Sequence, residues 1–281
     1  MLGDYEIRYL RRGSLECEVS PPYSNPCSAG SIYLASMRFT SIAKYALGPI
    51  LLLQGRRARR TAVLMPEADG ERRGYVANAR SAKPLNLLFV GDSTMAGVGA
   101  EHQETALGAL TAREVSAILS RPVHWQLIAK SGLKTSQMEA LTEGEDLLDA
   151  DVLITALGVN DVLAQTKRRK FVESYAKLIA ALLPTDRSRL AIISGLPPLH
   201  ITPAIPQPLR WFFGMCAQDL DRALRRWSLS SPGVSYLSLQ WAADRTRLAA
   251  DRFHPGKGLY LEWAHRIAAK IVQDLSAVRI L

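Results

Sequence analysis

Ser93 stands in Gly91-Asp92-Ser93-Thr94-Met95-Ala96-Gly97, directly behind a short apolar run, and Asp251-Arg252-Phe253-His254-Pro255 supplies an acid and an imidazole three residues apart near the C-terminus. A serine hydroxyl is a weak nucleophile until an adjacent base takes its proton. That base works best when a carboxylate fixes its tautomer and stabilises the imidazolium. Ser93 as nucleophile, His254 as base and Asp251 as the supporting carboxylate fill these roles. Attack on an ester carbonyl places negative charge on oxygen, so donors must be preset at that point. The turns Lys130-Ser131-Gly132 and Gly158-Val159-Asn160-Asp161 offer them. The amides of Gly132 and Ser93 and the side chain of Asn160 would form the oxyanion hole. Asp92 and Asp161 read as loop holders that bond backbone amides. His102, His124, His200 and His265 have no acid at a telling spacing and read as surface or satisfied imidazoles. Lys167-Arg168-Arg169-Lys170 reads as a solvated helix face.

The elements that must position these residues begin at residue 85. From there short continuous apolar runs alternate with longer amphipathic stretches, the pattern of strands covered on both faces by helices. Strands are expected at residues 85–90, 123–129, 152–157, 190–194 and 234–239, and helices near 101–120, 136–148, 167–183, 208–229 and 257–275. This alternation predicts an α/β protein of three layers, α/β/α, around a doubly wound five-stranded parallel sheet. Its ligand site should lie beyond the carboxyl ends of the strands. The Ser93, Gly132 and Asn160 turns each follow one of the first three runs, so the predicted site and the predicted chemistry coincide. The connection at residues 196–213 leaves the same face, apolar yet rich in proline. It is expected to wall an acyl pocket, with Trp211, Phe212 and Phe213 as substrate-binding residues.

These blocks resemble the SGNH, or GDSL-type, hydrolase family over roughly residues 85–275. Gly91-Asp92-Ser93 with Gly97 is similar to the family's first block, Gly132 to the glycine of its second, and Gly158, Asn160 and Asp161 to its third. Asp251, His254 and Pro255 match its fifth, and Tyr260 and Trp263 its aromatic pair after the histidine. The resemblance implies a flavodoxin-like fold and hydrolysis of carboxylic esters without metal or other cofactor, the substrates being short to medium acyl or lysophospholipid-like esters. A polysaccharide or peptidoglycan O-deacetylase, an acyltransferase, and a non-catalytic membrane-tethered binding protein remain open as alternatives. Thr94 stands where the name-giving motif has leucine. Met95 occupies the second glycine position of G-x-S-x-G, which argues against the larger lipase elbow.

The chain of 281 residues carries a net charge of +9, but residues 1–84 hold 13 of the 35 basic residues against 7 of the 26 acids. The remainder is nearly neutral and shows no basic stripe interleaved with aromatics, so nucleic acid is not an expected partner. Three cysteines, Cys17, Cys27 and Cys216, make neither a disulfide framework nor a metal-type spacing. Residues 1–84 read as an N-terminal extension, with residues 1–36 irregular, Met37 a candidate start and residues 61–84 a linker; the hydrolase domain is expected over 85–281. The apolar segment 42–54 is shorter than the ~20 residues a membrane span needs. Arg56, Arg57, Arg59 and Arg60 follow it, with no cleavage site near, so secretion is disfavoured. A cytoplasmic protein is expected, with membrane-surface contact through residues 42–60 or a helix packed on the domain as the two outcomes.

Overall fold

The computed structural model describes residues 46–79, 82–183 and 190–278. Residues 1–36, the candidate start Met37, Cys17, Cys27 and the first part of the apolar segment lie outside them. The described residues fall within one compact unit, Ala43–Leu281.

In chain order the regular elements are α1 (Gly48–Thr61), β1 (Arg73–Val76), β2 (Leu85–Gly91), α2 (Leu107–Leu119), β3 (Val123–Ala129), α3 (Thr135–Thr142), β4 (Val152–Ala156), α4 (Val159–Leu163), α5 (Arg168–Leu182), β5 (Leu190–Ser194), α6 (Leu209–Leu229), β6 (Val234–Leu237) and α7 (Lys257–Val278). The strands form a single sheet in the order β1-β3-β2-β4-β5-β6, parallel throughout except that β1 runs antiparallel to β3. Without β1, the five parallel strands have the flavodoxin-type order 2-1-3-4-5, whose switch point lies between β2 and β4. Ser93 follows β2 and Asn160 follows β4, so the topology alone sets them on either side of that crevice.

Continuous apolar strands are what two covered faces require. Leu87 and Phe89 of β2 face α2 and α7, packing with Ala112, Val115, Ile267 and Ile271. Leu88 and Val90 face the opposite layer, where Met138, Phe171, Tyr175 and Leu220 come from α3, α5 and α6. Each such fully buried side chain is worth roughly 1.5–3 kcal/mol relative to exposure.

The sheet has six strands rather than the expected five, and it begins before the expected domain start at residue 85. Residues 73–76, within the expected linker, pair with β3 from Arg73 opposite Gln126 to Val76 opposite Val123. Four half-exposed residues with alternating burial do not stand out as a strand before their partner is known. Two helices are shorter than expected. Gln103 is buried and its side chain bonds Ala68 O and Ala96 O, both at 3.0 Å, which turns residues 103–105 into a 3₁₀ turn ahead of α2. Gln126 likewise donates to Asp146 O and accepts from the Leu148 amide, holding the residues after α3 as a loop.

Helix α1 has Pro49 in its first turn and Arg59 and Arg60 in its last, placements that suit a helix start and the macrodipole. Its Leu51 is buried with Ile205, Leu209 and Phe212, and Gln54 both donates to Gln207 O and accepts from the Leu209 amide. Among the described residues, no helix is long and apolar enough to cross a membrane.

Candidate active site

Strand β2 delivers the chain into a tight turn in which Ala96 N donates to Asp92 O, Gly97 N to Thr94 O and Val98 N to Ser93 O. Tyr260 of α7 supports this turn from below. Its hydroxyl lies 3.0 Å from Thr94 O and 2.7 Å from Val98 O, and burial pushes its phenol pKa well up, so it stays a neutral donor. Trp263, one turn on, donates its indole N–H to Ser194 Oγ.

The Asp251–His254 loop closes on itself by a bridge between Leu248 and Pro255 and a bond from Ala249 N to His254 O. It also comes very near the serine turn. Gly99, at φ +100°, lies where a Cβ would run into Pro255 O. Within the loop Asp251 is buried, and its Oδ1 accepts the amides of Phe253 and His254, both at 3.0 Å. Its Oδ2 lies 2.5 Å from His254 Nδ1, and His254 Nε2 lies 2.9 Å from Ser93 Oγ. Burial pushes the Asp251 carboxyl up, but the His254 ring and the two backbone amides outweigh it and hold the group below the usual carboxylate range. An ionised carboxylate, an imidazole and a hydroxyl therefore stand in one hydrogen-bonded line.

Asn160 and Asp92 meet across the switch point, with Asn160 Nδ2 donating to Asp92 Oδ2 at 3.1 Å. Asp92 also accepts the Thr94 amide through Oδ1. Burial pushes Asp92 up to about 6, opposed by the Thr94 amide, by the positive charge His254 can carry and by Asn160, and reinforced by Asp161. Asp161 accepts both the amide and the hydroxyl of Thr135, tying the Asn160 turn to the start of α3. Both aspartates hold loops, as their motif positions suggested, but Asp92 also grips the Asn160 side chain. Gly132 sits in the loop leaving β3, beside β2, at φ +82° with open space where a Cβ would be.

An apolar cavity opens beside Ser93 and His254, walled by Leu157, Pro198, Leu199, Trp241 and Phe253 among others. The proline-rich connection contributes Pro197, Pro198, Leu199, Ile201 and Thr202 to it, but Trp211, Phe212 and Phe213 do not line it. The first turn of α6 faces the other way. Phe212 is buried against Leu51 and Leu209, Phe213 packs beside it with ring centroids 6.0 Å apart, and Trp211 is partly exposed at the surface. Trp241 and Leu248 stand in the cavity wall instead, at positions that nothing in the local sequence marks.

The remaining histidines stand away from the serine, with His102 and His200 exposed. His124 packs on Tyr75, and exposed His265 pairs with Glu114 of α2, a partner invisible to sequence spacing. Arg168 and Arg169 pair with Asp219 and Glu173 on the helix surface. Among the described residues, no group of three or more His, Cys, Asp or Glu side chains is placed to hold a metal ion.

A flavodoxin-ordered sheet with this serine line at its switch point defines a class, the flavodoxin-like serine hydrolases, distinct from the larger lipase fold with its G-x-S-x-G elbow. Residues 89–260 match the GDSL-like Lipase/Acylhydrolase family, and the chain belongs to that family. It is 27% identical over 210 residues to a GDSL-like esterase of Mycobacterium tuberculosis, a match taking in 69% of this chain and 66% of that relative's length. Among solved structures, the lipase Lip_vut3 from a goat rumen metagenome superposes with a TM-score of 0.54 at 21% identity, covering 66% of this chain and 96% of that one. The psychrotrophic esterase EstA from Pseudoalteromonas sp. does so with a TM-score of 0.51 at 17% identity, covering 68% and 98%. At such identities the structural likeness bears on the fold.

Proposed function

We propose that the protein hydrolyses short to medium acyl esters through an acyl-enzyme on Ser93. The observation that carries this is the line from Asp251 through both nitrogens of His254 to Ser93 Oγ, opening onto an apolar cavity. His254 Nε2 takes the hydroxyl proton as Oγ bonds to the ester carbonyl carbon, and Asp251 stabilises the imidazolium that results. The carbonyl oxygen becomes an oxyanion received by the amides of Ser93 and Gly132 and the free proton of Asn160 Nδ2, whose other proton is engaged by Asp92. Collapse expels the alcohol, which takes the proton from His254. Water, deprotonated by the same imidazole, then releases the acid and restores Ser93. Apolar walls favour an acyl chain over a carbohydrate, which would leave hydroxyl groups without partners there.

An organophosphonate should form one covalent adduct on Ser93 in the folded protein, and Ser93→Ala should abolish both adduct and turnover. A wild-type protein that folds but takes no label would overturn the reading. A panel of acetylated glycans alongside fatty acyl esters separates the esterase from an O-deacetylase or acyltransferase.

The outer face of α1 supports membrane-surface contact. Ile50, Leu52 and Leu53 are exposed next to Arg56, Arg57, Arg59 and Arg60, apolar and cationic groups together, as an anionic lipid surface requires. Vesicles containing phosphatidylserine should retain the protein at low salt and release it at high salt; equal retention on neutral vesicles would sink the electrostatic part. The cytoplasmic setting is likewise proposed, and cell fractionation tests it.

A further inference from the structure

Residues 67–72 run between two loops of the site. On one side they are stitched to the serine turn and the residues after it. Ala68 N donates to Ala96 O, the buried Gln103 side chain bridges Ala68 O and Ala96 O, and Asp69 exchanges backbone bonds with Glu101 and Gln103. On the other side they grip the loop that leaves β3. Glu67 Oε1 accepts the Ser131 amide at 2.7 Å, Glu67 Oε2 lies 2.5 Å from Arg72 Nη2, and Arg72 Nη1 donates to Ala129 O at 2.6 Å. One carboxylate–guanidinium pair thus holds a carbonyl and an amide two residues apart, immediately before Gly132. Arg72 is itself fixed, its carbonyl accepting the Leu127 amide within the sheet.

We infer that Glu67 is a positioning residue for the oxyanion hole, setting the Ser131–Gly132 peptide against the serine turn through Arg72 and the strap between them. The inference rests on the proposed role of Gly132. Glycine at φ +82° with no neighbour around its Cβ position has no side chain of its own to anchor it, so the aim of its amide depends on what holds the residue before it. A donor aimed in advance contributes because it need not reorganise when charge develops, and removing one outright costs ~10²–10³ in kcat. Releasing the loop leaves the donor present but unaimed, so a smaller loss is expected. Substrate binding in the cavity uses other residues and should be spared.

The test uses the full chain with p-nitrophenyl acetate, and hydrogen exchange of the peptide containing Ser131. Glu67→Ala should lower kcat by ~10–100-fold with KM within about twofold, and should lose amide protection around Ser131. Glu67→Gln keeps an oxygen acceptor for the Ser131 amide but turns its NH₂ toward the Arg72 guanidinium, so its kcat should fall between those of Glu67→Ala and wild type. Should the alanine variant fail to fold, Glu67→Asp carries the test, its carboxylate withdrawn by one methylene. Wild-type kcat in a folded Glu67→Ala or Glu67→Asp variant, a KM effect alone, or unchanged exchange at Ser131 would each overturn the inference. A wild-type protein without ester turnover would sink the esterase reading and this inference with it, whereas an active wild type with an unaffected variant sinks the strap alone.

Discussion

Asp92→Asn should raise stability at neutral pH relative to wild type while removing most turnover. The buried Asp92 carboxyl titrates at about 6 against an ordinary 3.8. The folded state therefore holds the proton more tightly than the unfolded chain, and this contribution to stability is present in full below pH 3.8 and lost as pH rises to about 6. About two units correspond to ~3 kcal/mol of stability that wild type forgoes at pH 7 and that asparagine, which does not titrate, does not. That shift is already net of the Thr94 and Asn160 hydrogen bonds to the ionised carboxylate, and the decisive quantity is the change with pH. Activity should move the opposite way. Asp92 accepts from the Thr94 amide and Asn160 Nδ2 together, whereas an asparagine has one carbonyl oxygen and must turn its own NH₂ toward one of these donors. Asn160 relieves the conflict by turning its carbonyl inward, which takes its NH₂ away from the oxyanion, at a cost of ~10²–10³ in kcat. Urea unfolding of both proteins at pH 4 and pH 7, with kcat at pH 7, reads both effects. A stability difference independent of pH would refute the buried raised carboxyl, and kcat within threefold of wild type would refute the grip on Asn160.

Asn160→Ala should reduce kcat by ~10²–10³ with KM little changed; a KM effect alone would make Asn160 a substrate binder. Gly99→Ala should lower both the unfolding midpoint and kcat, because its Cβ meets Pro255 O in the loop that carries His254; an unchanged kcat would mean that loop is not held by the serine turn. Trp241→Ala should move the acyl-length optimum to longer chains, each further buried methylene worth ~0.8 kcal/mol or about fourfold in kcat/KM, and an unchanged chain-length profile would remove Trp241 from the pocket wall.

The strands and the chemical blocks were legible locally because both are short-range signals. Residues 85–91, 123–129 and 190–194 are apolar runs whose burial on two faces leaves them no other use. The serine, glycine, asparagine and histidine turns carry residue types that acyl transfer needs in any fold. The alternation with helices further implied parallel strands and a site beyond their carboxyl ends, while the strand order, and with it the crevice between β2 and β4, came from the fold.

Local residue types and their periodicity thus set the fold class and named the side chains of the line from Asp251 to Ser93. The partners came from packing between distant segments. The strand at Arg73–Val76 exists only because β3 offers an open edge, and Glu67 reaches Ser131 across 64 residues of chain. Phe212 turned to Leu51 rather than to substrate because α1 covers that side of α6, and Trp241 entered the cavity wall in its place. Hydrophobic burial has no direction and no fixed range in sequence, so an aromatic residue announces that it will be buried without announcing against what. A hydrogen-bonded catalytic line does have direction, and its members must be of particular types. That difference is why the reacting groups could be read from the chain, whereas of the pocket that serves them only the proline-rich wall at residues 197–202 could.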